Sequence, residues 1–271
     1  MAQPSHALIP SAPVSESRPI RSALRACPLP ALGGDALIVI PTYNERANLA
    51  ALVEAVLRVA PAAELLIVDD GSPDGTGELA DALAQRDARV HVLHRASKQG
   101  LGTAYVAGFR WGLAREYRRF VEMDADFSHD PGQLSRLLAP LDAGAALVVG
   151  SRNVPGGMIS GWGIGRLLLS KGGSAYSRAV LGIKVRDLTT GYKAFTRAAL
   201  EQLDLDSVRS NGYAFQIELT FRALREGLEV VEVPITFIDR RVGQSKMDRS
   251  IFFEAITVVW KLRLAARRQS A

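Results

Sequence analysis

"ELLIVDDGSPDGTGELADALAQRDARVHVLHR", residues 64–95, carries the decision about the fold. An apolar run ends in two aspartates and a Gly-Ser-Pro-Asp-Gly turn, residues 77–87 read as a helix, and "VHVLHR" (90–95) returns to strand-like composition. A strand that enters a helix through a short turn and then starts another strand is a βαβ unit. Such units build parallel sheets.

The same alternation extends on both sides. Upstream, "ALIVIPTYNE" (36–45) is a short apolar strand stopped by Pro41, and "RANLAALVEAVLRVAP" (46–61) places Leu49, Leu52, Val53, Val56 and Leu57 at helical spacing. Downstream come a helix at 102–117, a strand "RFVEMDA" at 119–125, a helix at 132–144 and a strand "ALVVGSR" at 146–152. Five strands alternating with four helices predict an α/β fold with a parallel sheet, right-handed crossovers and ligands at the carboxyl ends of the strands. After residue 152 the pattern changes. A Gly-rich stretch (156–165) reads as flexible, 166–182 and 212–227 as helices, and 228–240 as an edge strand or hairpin with Pro234 at its middle. Residues 1–34 hold six prolines and no period, and are expected to form a disordered arm. The domain is expected to span 35–249, followed by an amphipathic helix at 250–271.

The bulk numbers narrow the function classes. The chain has 271 residues, a net charge of +5 and a single cysteine, Cys27, which excludes an internal disulfide framework or Cys-based zinc site. The charge favours anionic partners. Pro4, Pro10 and Pro13 interrupt any secretory h-region, and no apolar run reaches the roughly 20 residues of a membrane span. A cytoplasmic protein with an open peripheral membrane role is expected. A nucleic-acid-binding module would place aromatics among the basic residues. Here the basic residues cluster with acidic strand ends instead.

Those strand ends carry the candidate chemistry. In "PTYNE" (41–45), Tyr43 and Glu45 offer a ring and an acceptor, although a plain turn with Thr42 or Asn44 as helix cap has the same composition. In "IVDDGSPDGT" (67–76), Asp69 can accept from a nucleobase or ribose, whereas Asp74 fits a turn and helix cap. In "FVEMDADFSHDP" (120–131), Asp124 and Asp126 would share a face of extended backbone. Hard oxygen ligands in that arrangement suit Mg²⁺ or Mn²⁺, with Ser128 or His129 as a further ligand; a solvated acidic loop is the alternative. On the basic side, Arg152 closes the fifth strand, and Arg166 and Ser170 stand one helical turn apart, able to grip one phosphate. "DRRVGQSKM" (239–247) adds Arg240, Arg241 and Lys246. Lys98 in "KQGLGTAY" is a minor phosphate candidate, since the loop lacks a full glycine fingerprint. Asp187 and Glu218 are candidates for a sugar hydroxyl.

In this order, "VIPTYNE", "IVDDGSPDGT", "KQGLGTAY", "MDADFSHDP", "GSRNVPGG" and "RRVGQSKM" resemble a family 2 glycosyltransferase of the GT-A fold. The resemblance is closest to dolichyl- or polyprenyl-phosphate mannose synthases. It implies a Rossmann-like, mostly parallel sheet and inverting transfer of mannose from GDP-mannose to a polyprenyl phosphate. It further implies that Pro41, Tyr43, Glu45, Ile67 and Asp69 hold the guanosine, and that Asp124, Ala125 and Asp126 continue the donor site. Asp126 would bind Mg²⁺ or Mn²⁺ with Ser128 in the second ligand position. Arg152, Arg166 and Ser170 would hold the lipid phosphate, and Arg240 and Lys246 belong to the loop that closes over the donor diphosphate in that family. Asp124, Asp126 and Arg152 are thus the expected catalytic residues. A membrane surface or a membrane-anchored partner is implied too. Phe252, Phe253, Ile256, Val259, Trp260 and Leu264 would lie at the interface, or else pack on the domain. UDP-glucose is the alternative donor.

Overall fold

The computed structural model describes residues 33–208, 210, 212–239 and 257–265. Along the chain run β1 (Ala36–Thr42), α1 (Arg46–Val59), β2 (Glu64–Asp69), α2 (Thr76–Arg86), β3 (Val90–His94), α3 (Leu101–Leu113), β4 (Arg119–Glu122), α4 (Leu134–Asp142) and β5 (Leu147–Ser151). All five strands and four helices expected over this stretch are present. They are followed by β6 (Met158–Ser160), α5 (Ile164–Leu181), β7 (Lys193–Thr196), α6 (Arg197–Gln202), α7 (Gly212–Arg225), β8 (Val230–Pro234) and β9 (Thr236–Ile238), and residues 257–265 are helical.

The main sheet has seven strands in the order β3-β2-β1-β4-β7-β5-β8. All pairings are parallel except those of β7, which lies antiparallel between β4 and β5. Alternate residues of β1 serve opposite faces. Ile38 and Ile40 enter a core with Leu49, Leu52 and Val56 of α1 and Leu137 of α4, while Leu37 and Val39 enter a second core with Phe109, Phe120 and Phe215. A sheet covered on both faces makes its central strands continuous apolar runs. Each such buried aliphatic side chain contributes about 1.5–3 kcal/mol. Helix α3 approaches this sheet through glycine: a Cβ on Gly108 would stand 2.4 Å from Cγ1 of Val39, and one on Gly112 2.4 Å from Cε1 of Phe120.

The later half departs from expectation at β6, β7 and α6. Strand β7 was not legible, because "KAFT" opens on a lysine that is fully buried and so breaks the apolar pattern. The Gly-rich stretch contains β6, which pairs with β9 in a small parallel sheet. Of the two readings of 228–240 the edge strand holds: β8 ends at Pro234 on the edge of the main sheet, and because β8 pairs with β5 and β9 with β6, no hairpin forms.

The C-terminal helical residues settle on the domain through Val259, fully buried with Leu181, Val185 and Ile217. This corrects the grouping of Val259 with Trp260 and Leu264, which remain about half exposed. Phe252, Phe253 and Ile256 lie outside the described residues, as do Arg240, Arg241, Lys246 and the arm at 1–32. Among the described residues, no helix is long and apolar enough to cross a membrane.

Candidate active site

The carboxyl ends of β1, β2, β4 and β5 open on one cavity of about 360 Å³. Pro41, Tyr43 and Glu45 enter from β1, Asp70 from β2, Asp124, Ala125, Asp126 and Ser128 from the turn after β4, and Arg152 from beyond β5. Most of the residues singled out in the sequence therefore meet. Ile67 and Asp69 do not line the cavity. Ile67 is fully buried in the core beneath it. The Asp69 carboxylate is occupied locally: Oδ1 accepts from the hydroxyls of Thr42 (3.0 Å) and Ser72 (2.6 Å), and Oδ2 from the Ser72 N–H (3.0 Å). Its neighbour Asp70 faces the cavity instead and pairs with Arg95 at 2.9 Å. Burial raises the Asp70 pKa, opposed by the Arg95 guanidinium. Asp74 accepts from the Thr76 N–H at 3.0 Å, the turn-and-cap role its position suggested.

The acidic turn is built differently from a strand end. β4 stops at Glu122, so Asp124 and Asp126 do not share a face of extended backbone; the chain turns, with Phe127 at φ 62°. That left-handed residue is uncommon outside glycine and asparagine. It brings the Ser128 N–H back to Oδ1 of Asp126 at 3.0 Å. The phenol of Tyr105 on α3 donates to Oδ1 of Asp124 at 3.2 Å. His129 is buried, stacked on Tyr192 at a centroid distance of 4.8 Å, and its Nδ1 accepts the Asp124 N–H at 3.0 Å. Burial lowers its pKa and keeps the ring neutral, and with the Nδ1 lone pair engaged His129 holds the turn.

The residues suit a hard divalent cation. Asp126 is 8% exposed, and the buried Oγ of Ser128 beside it lacks a hydrogen-bond partner among the described residues. Among the described residues no group of three His, Cys, Asp or Glu could hold a metal by itself. An ion here would complete its shell with substrate oxygens and water, the usual habit of Mg²⁺.

Arg152 is 5% exposed and forms a two-pronged ion pair with Asp187, Nε to Oδ2 at 2.7 Å and Nη2 to Oδ1 at 2.8 Å. Burial works against both charges. The pairing prevails, holding the Asp187 carboxyl below its ordinary range and the Arg152 guanidinium above its own. Asp187 is thereby closed to a sugar hydroxyl. Glu218 is likewise committed, to Arg222 Nε at 2.9 Å. Ser170 is half-buried on α5 and does not line this cavity; Arg166 lies on the same helix, its side chain outside the described residues.

Sequence reading missed Tyr105, Thr189, Tyr213, Gln216 and Phe237, which also line or support the site. Gln216 had a partial signal, standing two residues before the candidate Glu218. Lys98 lies over the Tyr43 ring at 4.6 Å. Below the cavity, Glu122 is fully buried and its pKa is pushed up to about 8 by burial, opposed by Lys193, its cross-strand partner on β7. Burial in turn lowers Lys193 to about 8.

A doubly covered α/β sheet with acidic residues over its carboxyl edge is the architecture expected of a GT-A glycosyltransferase, and comparison with known proteins shows the class. The sequence profile of glycosyl transferase family 2 matches residues 37–204, and the chain belongs to that family. It is 56% identical over 230 residues to polyprenol monophosphomannose synthase of Mycolicibacterium smegmatis, covering 84% of this chain and 87% of the relative. It is 50% identical over 231 residues to undecaprenyl-phosphate mannosyltransferase of Micrococcus luteus, covering 85% and 95%. Among solved structures, glucosyl-3-phosphoglycerate synthase of Mycobacterium tuberculosis with phosphoglyceric acid superposes with a TM-score of 0.64 at 21% identity, covering 85% of this chain and 80% of that one. A complex of the same enzyme holds Mn²⁺, UDP and glucosyl-3-phosphoglycerate, with a TM-score of 0.62 at 22% identity, covering 85% and 80%. The protein is thus a glycosyltransferase of the mixed, mostly parallel GT-A architecture.

Proposed function

We propose that this enzyme transfers mannose from GDP-mannose to a polyprenyl phosphate at a membrane surface, inverting the anomeric centre and releasing GDP. The observation that carries the reading is the gathering of Tyr43, Glu45, Asp124 and Asp126 around one cavity, in a chain half identical to two polyprenyl-phosphate mannosyltransferases. Tyr43 and Glu45, with Pro41, hold the guanosine, and Asp70 takes the place first given to Asp69. Asp124 and the Ala125 backbone carry the donor inward. Asp126 and Ser128 hold Mg²⁺ or Mn²⁺, which when bound neutralises charge on the departing diphosphate. Arg240 and Lys246 supply further positive charge to the same group.

The acceptor is a phosphate monoester, ionised near neutral pH, so the enzyme needs no strong general base. Its task is to position that oxygen against the anomeric carbon. Arg152 directs the acceptor through whatever charge Asp187 leaves it, together with Arg166 and Ser170. The half-exposed Trp260 and Leu264 meet the membrane surface or a membrane-anchored partner. A donor screen tests the reading. With polyprenyl phosphate as acceptor, labelled GDP-mannose should yield lipid-linked product at least tenfold faster than UDP-glucose. Preference for UDP-glucose would replace the mannose assignment with glucosyl transfer.

A further inference from the structure

Behind Arg152 lies a second cavity of about 600 Å³, between the loop after β5 and one face of α5. Among the described residues its lining includes Arg152, Lys171, Arg178 and Arg186, and no carboxylate. Arg152 is neutralised by Asp187. Glu232 on β8 turns to the backbone, accepting the N–H groups of Arg186 (2.8 Å) and Asp187 (3.0 Å). The other three cations thus face the space without a counter-charge in its lining.

Two buried polar atoms there lack hydrogen-bond partners among the described residues. Ser174 is 2% exposed, and its Oγ has none; neither has Nε of Arg178, one turn further along α5. A buried hydroxyl and a buried guanidinium nitrogen left unsatisfied are costly unless a ligand pairs with them. Lys171, Ser174 and Arg178 recur at spacings of three and four, so one helix face presents all three. Ile164 and Leu168, 78% and 65% exposed, continue that face toward the helix start.

We propose that this cavity is a second anion site, separate from the transfer cavity, that takes a phosphate group as monoester or diester. The Ser174 hydroxyl and Arg178 Nε donate to its oxygens, and Lys171 and Arg186 supply the remaining charge. Its phosphate comes either from an anionic lipid headgroup or from solution. The site requires neither donor nor metal, so its test stands apart from that of mannosyl transfer.

The experiment measures binding in EDTA without nucleotide sugar. Inorganic phosphate is titrated calorimetrically, and flotation is measured with phosphatidylcholine vesicles with and without phosphatidylglycerol. Arg178→Gln should weaken binding about tenfold or more, and Ser174→Ala, which leaves net charge unchanged, severalfold. Lys184→Gln, an exposed charge outside the cavity, should leave binding within twofold, and Arg178→Lys should recover part of the loss. Circular dichroism and melting temperature check that each variant is folded. Loss confined to phosphatidylglycerol vesicles identifies a headgroup; loss with inorganic phosphate as well identifies a free-phosphate site. If the wild type binds neither probe, or folded Arg178→Gln and Ser174→Ala bind both as wild type does, the proposal is overturned.

Discussion

The two sides of Arg152 differ in sign. Toward the sheet edge stand Glu45, Asp70, Asp124 and Asp126; toward α5 stand Lys171, Arg178 and Arg186. Between them, one arginine is neutralised by one buried aspartate. The acidic side is made by strand ends, where each carboxylate follows a short apolar run. The basic side is made by a helix face and two loops brought together from distant parts of the chain.

Breaking the divider should have the largest effect. Asp187→Asn leaves Arg152 buried and uncompensated, which costs about 3–5 kcal/mol of stability. Denaturant unfolding should show a lowered midpoint with an unchanged slope. A midpoint near wild type would mean that Arg152 is not left uncompensated by the loss of Asp187. Next in size is the acidic side itself. Asp126→Asn should lower transfer kcat about 10²- to 10³-fold, or about 2.7–4 kcal/mol, the scale seen when one charge-stabilising group is removed. The Mn²⁺ concentration needed for half-maximal rate should rise in the same variant.

A third prediction probes the layer beneath. Glu122 has a folded-state pKa raised to about 8 from an ordinary 4.5. Across that window the folded protein binds more protons than the unfolded one, so this group's contribution falls as pH rises from about 4.5 to 8. Glu122→Gln should flatten the decline in unfolding free energy between pH 5 and pH 8. An unchanged slope would show that Glu122 titrates normally.

The same contrast explains what the sequence made legible. Asp124, Asp126, Tyr43 and Glu45 could be read because apolar periodicity locates strand ends, and strand ends of a parallel sheet share an edge. Asp69 could not be told from Asp70 that way: alternation says the two differ, but only the bonds from Thr42 and Ser72 decide which one turns inward. β7 was invisible because its register depends on long-range pairing with β4 and β5, and its buried Lys193 resembles a loop residue. Asp187 read as a free acid until folding set it against Arg152, 35 residues away. Ser174 and Arg178 gave no motif at all, since their significance lies in bonds they do not make.

The most direct measurement of the central claim is the initial rate of labelled lipid formation from GDP-mannose and polyprenyl phosphate. It is taken with Mn²⁺ or Mg²⁺, with EDTA, and after metal is restored. Mannolipid should form with metal, vanish with EDTA and return on restoration. Absence of mannolipid under every metal condition, or full activity in EDTA, would contradict the account.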